Sequence, residues 1–593
     1  MTMSKKMKNN LKKNLNIKIR NNMNIDTNST RPSILIDKEW IDSSQVKNYI
    51  LDDPLIDWLN LYGEKNEIKP DSPTESDFNN YLQKQTKFFQ KSLVNKIDKL
   101  VEIVDLSNYD LKNKIAETKI LLEKGTYAIS NGCLIDEEKK IYSMCDYIIR
   151  SDKINSIFKK SILKKSEEQI GSKYNKKWHY CAFNSKFIKL ILNKDGGIKS
   201  VNKTFKYYKA QSIINNSCLG KMQNYQPKEC YLIGRDTNES EIIGKIFSET
   251  YDKKIVNKIE RSIAWILDLK KNGNNWSINP PKKTELYPNM CNNDDKPWNT
   301  AKKIIANNIK ELTLLWNIGV NERNLAHKRG TYSWDKIKNN EFQLGEKKKN
   351  IVKNIVKINK DFKDIIHPKE IKDPNIKKIL KQDIVEYYVD FESINDLSVN
   401  KFNERINSMT FMIGCLAVIN KEDKKEYIFK DYTVDYLEKK EESRIFTEWI
   451  NFMNDLNNKF KIKNPKIFHW GCAEKILLSK AYKNQSLPKV NFTDLLLIFK
   501  NIPITIKGVF DFSLKNISKS LYKYGLIKNT WENNTIDGRE AMVYAWLSNE
   551  ISNINKKSMK DMELIKDIQK YNYIDCKVVE ELTTLLRYRI QFN

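Results

Sequence analysis

The sequence predicts an α/β protein built from several domains. Its 593 residues exceed what one hydrophobic core normally organises, so we expect roughly three or four domains. Apolar residues make up 40% of the chain and aromatic residues 11%, which is enough to build cores along most of it. Stretches with strand-like alternation are interleaved with stretches of helical periodicity, and that order is typical of an α/β fold.

The chain is strongly basic, with a net charge of +29 and a pI near 9.3. Such a charge favours a polyanionic partner, and nucleic acid is the first candidate because lysines that neutralise phosphates release counterions. The alternative is an excess of Lys, Asn and Ile from an AT-rich genome, and the charge alone does not decide between the two. Residues 1–30 are basic and Asn-rich without an apolar stretch, so we expect a disordered arm and no secretory signal.

The cysteines and the hydropathy pattern indicate an intracellular protein, in the cytoplasm or in the compartment that holds nucleic acid. The nine cysteines are scattered, without any C-x-x-C pair, which argues against a zinc or iron–sulfur site and favours reduced thiols. No run of about 18 apolar residues occurs, so we expect neither a membrane span nor a membrane partner. The sequence identifies no protein partner.

The first predicted domain covers residues 31–235. Its elements are predicted as a helical stretch at 76–124, strands at Tyr127–Leu134 and Ile141–Arg150, a strand or strand pair at Trp178–Leu192, a helix at Thr204–Met222 and a short strand at Cys230–Ile233. Residues 236–383 are predicted as a charged, mostly helical connector. The last domain, 384–593, opens with predicted strands at Val385–Phe391, Thr410–Ile419 and Glu426–Asp431.

Acidic residues in the last domain meet a specific chemical requirement. Hydrolysis of a phosphodiester with two metal ions needs carboxylates that hold the ions about 4 Å apart, and a group that orients the attacking water. Strand alternation places Asp390 and Glu392 on one face, with Phe391 on the other. Apolar residues precede them, and a bound cation is the usual remedy for carboxylates at the end of a buried strand.

Two further features of this domain carry acids. In His469–Glu474 a short strand runs into a helix that has an acid in its first turns. Tyr571 and Asp575 are four residues apart, which places phenol and carboxylate on the same face of a helix. Each feature alone is common in surface or structural positions, whereas all three in this order favour a shared site.

In these residues the chain resembles the DEDD exonuclease superfamily, and specifically its tyrosine-containing branch, which has an RNase H-like fold. Asp390 and Glu392 match the D-x-E motif, and Tyr571 and Asp575 match Y-x-x-x-D. His469–Glu474 has the spacing of H-N-x-x-x-D, with Trp470 in place of Asn and Glu474 in place of Asp. The segments Phe492–Leu495 and Ser513–Ile517 are further matches.

The resemblance implies a two-metal 3′–5′ exonuclease. Asp390, Glu392, Glu474 and Asp575 would bind two Mg²⁺ or Mn²⁺ ions, and Tyr571 would orient the water that attacks the terminal phosphodiester. His469 is expected either to support a ligand or to be packed in the domain, and not to act as the base, because Tyr571 has that place in the motif. Asp494 either supports the site or caps the segment that starts at Leu495.

The first domain resembles a PD-(D/E)XK nuclease of the RecB-like group, a restriction-endonuclease-like fold. The matching positions are Gln90, Asp146, Asn184, Lys186 and, on the following helix, Gln211. Two positions that are acidic in that family are amides here, and an amide brings no negative charge to a cation, so we expect an inactive domain kept for nucleic-acid binding or as a scaffold. The alternative is that Glu102, Asp105 or Asp195 replaces the missing acids.

The segment 311–335 resembles the helix-hairpin-helix module that often joins these two nuclease parts. Gly319, Arg323 and Lys328 would then face a phosphate backbone, because such hairpins present backbone N–H groups to DNA phosphate. An ordinary helical linker is the alternative. The whole order resembles fusion proteins of bacteria and large DNA viruses, in which a RecB-like nuclease precedes an RNase H-like exonuclease domain.

Taken together, the sequence predicts a metal-dependent exonuclease that acts on DNA or RNA, with the first domain and the connector binding the substrate. The alternative from another class is a non-catalytic nucleic-acid-binding scaffold that contains two relic nuclease folds. A structure-specific endonuclease is a third option, because the same site could perform that reaction.

Overall fold

The structure is a computed structural model that describes residues 39–72, 77–158, 161–199, 203–235, 241–250, 252–338, 342–360, 363–395, 408–422, 424–483, 486, 488–531 and 536–589. The basic arm predicted at residues 1–30 lies outside these residues. The described chain is an α/β protein with two large mixed sheets and many helices. None of its described helices is long and apolar enough to cross a membrane.

The first sheet is mixed and has seven strands. They are β1 (Ile41–Asp42), β2 (Ile103–Asp105), β3 (Ala128–Asp136), β4 (Ile141–Arg150), β5 (Tyr180–Lys189), β6 (Cys230–Arg235) and β7 (Glu241–Ile246). Their order is β2-β3-β4-β5-β6-β7, with β1 paired to β4. Strands β3, β4 and β5 form an antiparallel meander, β2 and β6 extend it in parallel, and β7 is antiparallel to β6.

Helices cover both faces of this sheet. They are α1 (Lys47–Ile50), α2 (Leu55–Trp58), α3 (Asp77–Asp98), α4 (Leu111–Glu123), α5 (Ser151–Ile157), α6 (Lys165–Glu168), α7 (Lys203–Gln223), α8 (Lys253–Asn272) and α9 (Asn299–Asn308). Helix α7 packs on one face, where Ala210 and Leu219 meet Ala182 of β5 in one hydrophobic core. Helix α3 packs on the other, where Phe89 lies against Phe187 of β5 with ring centroids 5.9 Å apart.

The strands predicted at Tyr127–Leu134 and Ile141–Arg150, the single-strand form of Trp178–Leu192 and the helix after them are confirmed, because their long alternating or helical patterns leave little choice of element. The helical prediction for 76–124 is wrong at strand β2, which separates helices α3 and α4, and the short strand β7 was not predicted. Strand β7 and helix α8 carry the first core past residue 235: Trp265, Trp298 and Ile305 all belong to it. The predicted connector at 236–383 therefore contributes to both halves of the molecule, since Leu312 and Ile355 belong to the next core.

The second sheet has five strands, and a separate two-stranded sheet lies beside it. The strands of this half are β8 (Ile366–His367), β9 (Val385–Asn395), β10 (Ser408–Asn420), β11 (Lys425–Thr433), β12 (Lys466–His469), β13 (Asn491–Asp494) and β14 (Thr505–Ile506). The five-stranded order is β11-β10-β9-β12-β13, and β8 pairs with β14. Strands β9, β10 and β11 form an antiparallel meander, while β12 and β13 continue parallel to β9.

Helices also cover both faces of the second sheet. They are α10 (Val320–Lys328), α11 (Glu346–Lys360), α12 (Pro374–Leu380), α13 (Lys439–Lys459), α14 (Ala473–Ala481), α15 (Leu495–Asn501), α16 (Leu514–Lys523), α17 (Gly538–Asn555) and α18 (Glu563–Arg587). Strand β9 is central, so both of its faces are buried. Tyr387 and Val389 face one core, and Tyr388 faces the other with Val579 of α18.

One helix contributes to both halves. Near its start, Tyr81 of α3 belongs to the core around the second sheet, while Phe89 and Leu93, farther along α3, belong to a core of the first sheet. The start of α3 also contacts α17, where the guanidinium of Arg539 lies 5.9 Å from the ring centroid of Phe78. A single helix thus ties the two halves together.

A buried ion network fixes the segment before α9 to the N-terminal helices. Lys302 is fully buried and its ammonium lies 2.9 Å from Asp53 and 2.5 Å from Asp295. It also donates to the backbone carbonyls of Asn289 and Asn292. The cation and its acceptors are all removed from water, so loss of any one charged member would leave the others buried without a partner.

We expect Lys302→Ala to destabilise the protein by about 3–5 kcal/mol, because it leaves the carboxylates of Asp53 and Asp295 buried without their cation. Urea unfolding of the full chain, followed by circular dichroism, measures the shift. Lys303→Ala is the matched control because Lys303 is the next residue on α9 and is exposed. Identical unfolding midpoints for the two variants would contradict the structural role of the network.

Candidate metal centre

Strand β9 brings Asp390 and Glu392 to one face of the second sheet. The intervening Phe391 points the other way and packs on Trp449 of α13, with ring centroids 5.3 Å apart. Glu392 is buried and Asp390 is half-buried. This confirms the alternation predicted from the sequence, and it places two carboxylates on the face that α18 covers.

Helix α18 reaches these acids through Asn572. Its side-chain amide donates to Asp390 Oδ2 at 2.7 Å and to the Asp390 carbonyl at 3.2 Å. Gly414 of β10 lies directly opposite Asp390, and a Cβ atom there would lie 1.6 Å from Asn572 Oδ1. The glycine therefore allows the helix to approach the sheet closely enough for its polar side chains to reach β9.

The close approach gathers three carboxylates. Asp390, Glu392 and Asp575 each offer an oxygen, and these oxygens all lie within 4.8 Å of one another. Among the described residues they are the only group of three or more His, Cys, Asp or Glu side chains with metal-binding spacing. Asp575 Oδ2 is buried and has no hydrogen-bond partner in the described chain. An all-oxygen donor set with an unused buried carboxylate oxygen fits a hard divalent cation such as Mg²⁺ or Mn²⁺.

Crowding of negative charge perturbs all three acids. Burial, followed by repulsion from Asp575 and Glu392, raises the pKa of Asp390 well above its ordinary value. Burial raises the pKa of Glu392 to about 7, against an opposing effect of Lys515. Burial and then Glu392 raise the pKa of Asp575, and Lys515 again opposes the shift. Without a cation the cluster therefore holds protons, and a bound cation would displace them.

Tyr571 stands one helical turn before Asp575. Burial, followed by the charges of Asp575 and Glu392, raises the pKa of its phenol far above the ordinary value. In the metal-free protein the phenol therefore holds its proton, and it can orient a water molecule by hydrogen bonding.

The fourth predicted acid, Glu474, lies beside this cluster and is not part of the three-carboxylate group. It is buried in the first turn of α14, and its Oε2 is 2.9 Å from Nδ1 of His469. Its charge nevertheless contributes to raising the pKa of both Asp390 and Glu392. His469 thus contacts Glu474, and its support of a metal ligand stays a prediction.

Asp494 caps a helix, which was one of its two predicted roles. Its carboxylate accepts hydrogen bonds from the backbone N–H groups of Leu496 and Leu497 at the start of α15. The same oxygen accepts from Gly471, two residues after His469. Asp494 therefore also fixes the loop that leads into α14.

The residues of the predicted N-terminal site lie in two separate hydrogen-bonded groups. The Asp146 carboxylate accepts from the backbone N–H of Ser185 at 2.6 Å and from its hydroxyl at 3.1 Å. The Gln90 amide lies 3.5 Å from the same hydroxyl. Asn184 is turned toward α7 instead, where it donates to Ser212 and accepts from Asn215.

The remaining N-terminal residues do not complete a metal site. The Lys186 ammonium lies 5.5 Å from the ring centroid of Tyr208, and the half-buried Gln211 of α7 has a carbonyl oxygen without a hydrogen-bond partner among the described residues. Two of the three acids considered as substitutes already accept hydrogen bonds: Asp105 from Ser107, Ser130 and Asn131, and Asp195 from Gly197. The third, Glu102, is exposed. Within the described residues, no group of three ligands forms in this domain.

The predicted phosphate contact of Arg323 is wrong. The Arg323 side chain is buried and its guanidinium donates to the carbonyls of Tyr287 and Pro288, with Glu311 3.5 Å away. At the start of α10 the Gly319 N–H is taken by the Glu322 carboxylate at 3.1 Å. Lys328 is exposed, and its contact with phosphate stays a prediction.

Sequence reasoning assigned no role to three residues that shape the centre. Asn572 and Gly414 set the distance between α18 and β9, and Lys515 of α16 carries positive charge toward Glu392 and Asp575. Lys515 lies in the segment Ser513–Ile517, whose resemblance to the exonuclease superfamily was the one signal in the sequence that could have pointed to it.

Comparison with known proteins adds no further assignment: no family model, no curated protein and no solved structure matches the chain.

We expect Mn²⁺ affinity to rise about 10-fold between about pH 6 and about pH 8, because Glu392 with a pKa of about 7 must lose its proton to bind the ion. Isothermal titration at both pH values measures this change. Glu392→Gln should bind Mn²⁺ weakly at both values. Asp567→Asn, on the same helix as Asp575 but outside the cluster, should behave as wild type. Equal wild-type affinity at the two pH values would exclude Glu392 as a ligand.

The same shift predicts how the metal-free protein responds to pH. The folded state holds a proton on Glu392 that the unfolded state releases at its ordinary pKa of 4.5, so this contribution to stability is lost as pH rises through about 7. Thermal unfolding without metal should show a smaller loss between about pH 5.5 and about pH 8 for Glu392→Gln than for wild type. An unchanged pH dependence in the variant would contradict the shift.

Proposed function

We propose that the chain is a metal-dependent nuclease that removes nucleotides from the 3′ end of DNA or RNA, with its reaction centre in the C-terminal domain. The observation that carries the proposal is the convergence of Asp390, Glu392 and Asp575, with the Asp575 oxygen left without a partner among the described residues. Glu474 adds a fourth negative charge from α14. Burying this many carboxylates without a cation is costly, and a bound cation would offset that cost.

The topology supports an RNase H-like exonuclease fold for this domain. That fold is expected to combine an antiparallel meander of three strands with parallel strands added beside the first one, as in the order β11-β10-β9-β12-β13. The first acids would then lie on the central strand and the last acid on the C-terminal helix, as Asp390 and Asp575 do. In the first domain, helix α4 is followed by the antiparallel strands β3, β4 and β5, with the short helices α5 and α6 before β5, and then by helix α7 and strand β6. This order likewise supports a PD-(D/E)XK fold of the RecB-like group.

The reaction would be phosphodiester hydrolysis. Two divalent cations held by the carboxylates would supply an activated water and stabilise charge on the phosphate and the leaving oxygen. Tyr571, kept protonated, would hold the water in line with the scissile bond. The water oxygen bonds to phosphorus as the bond from phosphorus to the 3′-oxygen breaks. The water loses a proton to solvent and the 3′-oxygen gains one, so a nucleoside 5′-monophosphate is released.

The first domain would bind nucleic acid without cutting it. Asn184 has the place of an acid, and its amide is engaged with Ser212 and Asn215. Gln90 has the place of another and lies 3.5 Å from the Ser185 hydroxyl. Neither amide brings the charge that a cation needs. The net charge of +29 supports a polyanionic substrate.

We expect the purified chain with Mg²⁺ or Mn²⁺ to release mononucleotides from the 3′ end of single-stranded DNA or RNA. Asp390→Asn and Asp575→Asn should each lower the rate by about 10²-fold or more, because each removes a ligand charge. Substrates labelled at the 5′ or the 3′ end, resolved on denaturing gels, measure the rate and the polarity.

Two variants sharpen this experiment. Asp567→Asn on α18 should retain the wild-type rate, and Asp146→Asn should do so if the first domain lacks a reaction centre of its own. Degradation that survives Asp390→Asn and stops in Asp146→Asn would move the activity to the first domain. Metal-independent binding without cleavage in any protein would instead support a non-catalytic scaffold.

A further inference from the structure

Lys515 is held at the edge of the carboxylate cluster by three neighbours. Its ammonium donates to the backbone carbonyl of Ile536 at 3.0 Å. It lies 4.7 Å from the ring centroid of Tyr571 and 5.6 Å from that of Trp531. Contacts with two aromatic faces and one carbonyl fix the position of an otherwise flexible side chain.

The ammonium has unused hydrogen-bonding capacity. It carries three protons, and the Ile536 carbonyl is its only hydrogen-bond acceptor among the described residues. Its charge acts on Glu392 and on Asp575, so it stands on the side of the cluster that Tyr571 also borders. Lys515 thus brings available donors next to acceptor-only carboxylates.

Charge balance explains why such a cation is needed there. Asp390, Glu392, Asp575 and the adjacent Glu474 together bring four negative charges, which two divalent cations would only neutralise. A phosphodiester is itself an anion and gains negative charge as it reacts, so a neutral centre would attract it weakly. One additional fixed positive charge makes the site attractive to the phosphate.

We propose that Lys515 is a further catalytic residue, whose ammonium binds a non-bridging oxygen of the phosphate at the reaction centre. The proposal rests on the proposed nuclease function and adds to it a residue for phosphate binding. Lys515 would keep its contacts with Ile536 and Tyr571 and donate its remaining protons to the substrate. The alternative role is a structural counter-ion that only moderates repulsion among the acids.

The two roles differ in what removal of the charge does. We expect Lys515→Met to lower kcat at saturating Mg²⁺ by about 10²-fold, the usual effect of losing one charged contact to the reacting phosphate. Mg²⁺ affinity should stay the same or increase, because a repelling charge has gone. Lys515→Arg should recover part of the activity. Lys519→Met, one turn later on α16 and exposed, is the matched control and should retain the wild-type rate.

A binding measurement separates this proposal from the nuclease function itself. Thymidine 5′-monophosphate, titrated in the presence of Mg²⁺, should bind Lys515→Met about 10-fold or more weakly than wild type or Lys519→Met. That result supports Lys515 as a phosphate ligand even if wild type degrades no nucleic acid, in which case the proposed function alone fails. Equal nucleotide affinity and equal kcat in a Lys515→Met protein with an unchanged unfolding temperature would overturn the proposal. If Lys515→Met unfolds early, the same comparison is made with Lys515→Gln, and wild-type binding there overturns it too.

Discussion

Contact between helix α18 and the central strand β9 is the interaction on which the candidate metal centre depends. It is secured at two points. Asn572 binds the side chain and the carbonyl of Asp390, and farther along α18 the Arg587 guanidinium binds the buried Glu386 carboxylate at 2.6 and 2.9 Å. Gly414 has no side chain at the point where a Cβ atom would clash with Asn572 of the helix. With this contact in place, carboxylate oxygens of Asp575, Asp390 and Glu392 lie within 4.8 Å of one another.

The polar groups of the two candidate sites differ in whether they satisfy one another by hydrogen bonding. In the first domain, Asn184 and its partners Ser212 and Asn215 form a neutral hydrogen-bonded set, which satisfies itself without a ligand. In the second, the carboxylates repel one another and Asp575 retains an unpaired oxygen, so the site is stable only with protons or a cation. This contrast is the physical basis for proposing that the second domain holds the reaction centre and that the first binds the substrate without cutting it. Helix α3, which contributes to cores in both halves, connects the two.

The parts of the fold that the sequence predicted well are long and strongly patterned. Strands β9 and β10 are largely buried on both faces. Strand β10 is a nearly continuous apolar run, and the D-x-E alternation within β9 fixes which side chains share a face. Strands β2 and β7 were missed because their short sequences carry too little pattern, and their partners are set by tertiary packing. The core boundary near residue 310 depends on packing of α8 and α9, which helical periodicity alone does not reveal.

For the site, too, the sequence predicts what lies within one element and not the contacts between elements. Spacing within one element placed Asp390 with Glu392 and Tyr571 with Asp575, whereas their meeting depends on Gly414, which no motif marked. Arg323 was misjudged because a basic residue on a short helix gives no sign of which carbonyls surround it. Lys515 was overlooked as a site residue because it reaches the acids from a different helix, through contacts with Tyr571 and Ile536 that exist only in the folded chain.

The most direct measurement is anomalous X-ray diffraction from crystals of the full chain grown with Mn²⁺. We expect an anomalous peak between the carboxylates of Asp390, Glu392 and Asp575, at coordination distances of about 2.0–2.2 Å, and its loss in Asp390→Asn. Manganese bound at Asp146 or elsewhere, with no anomalous signal at the three carboxylates, would show that these acids do not form the metal centre.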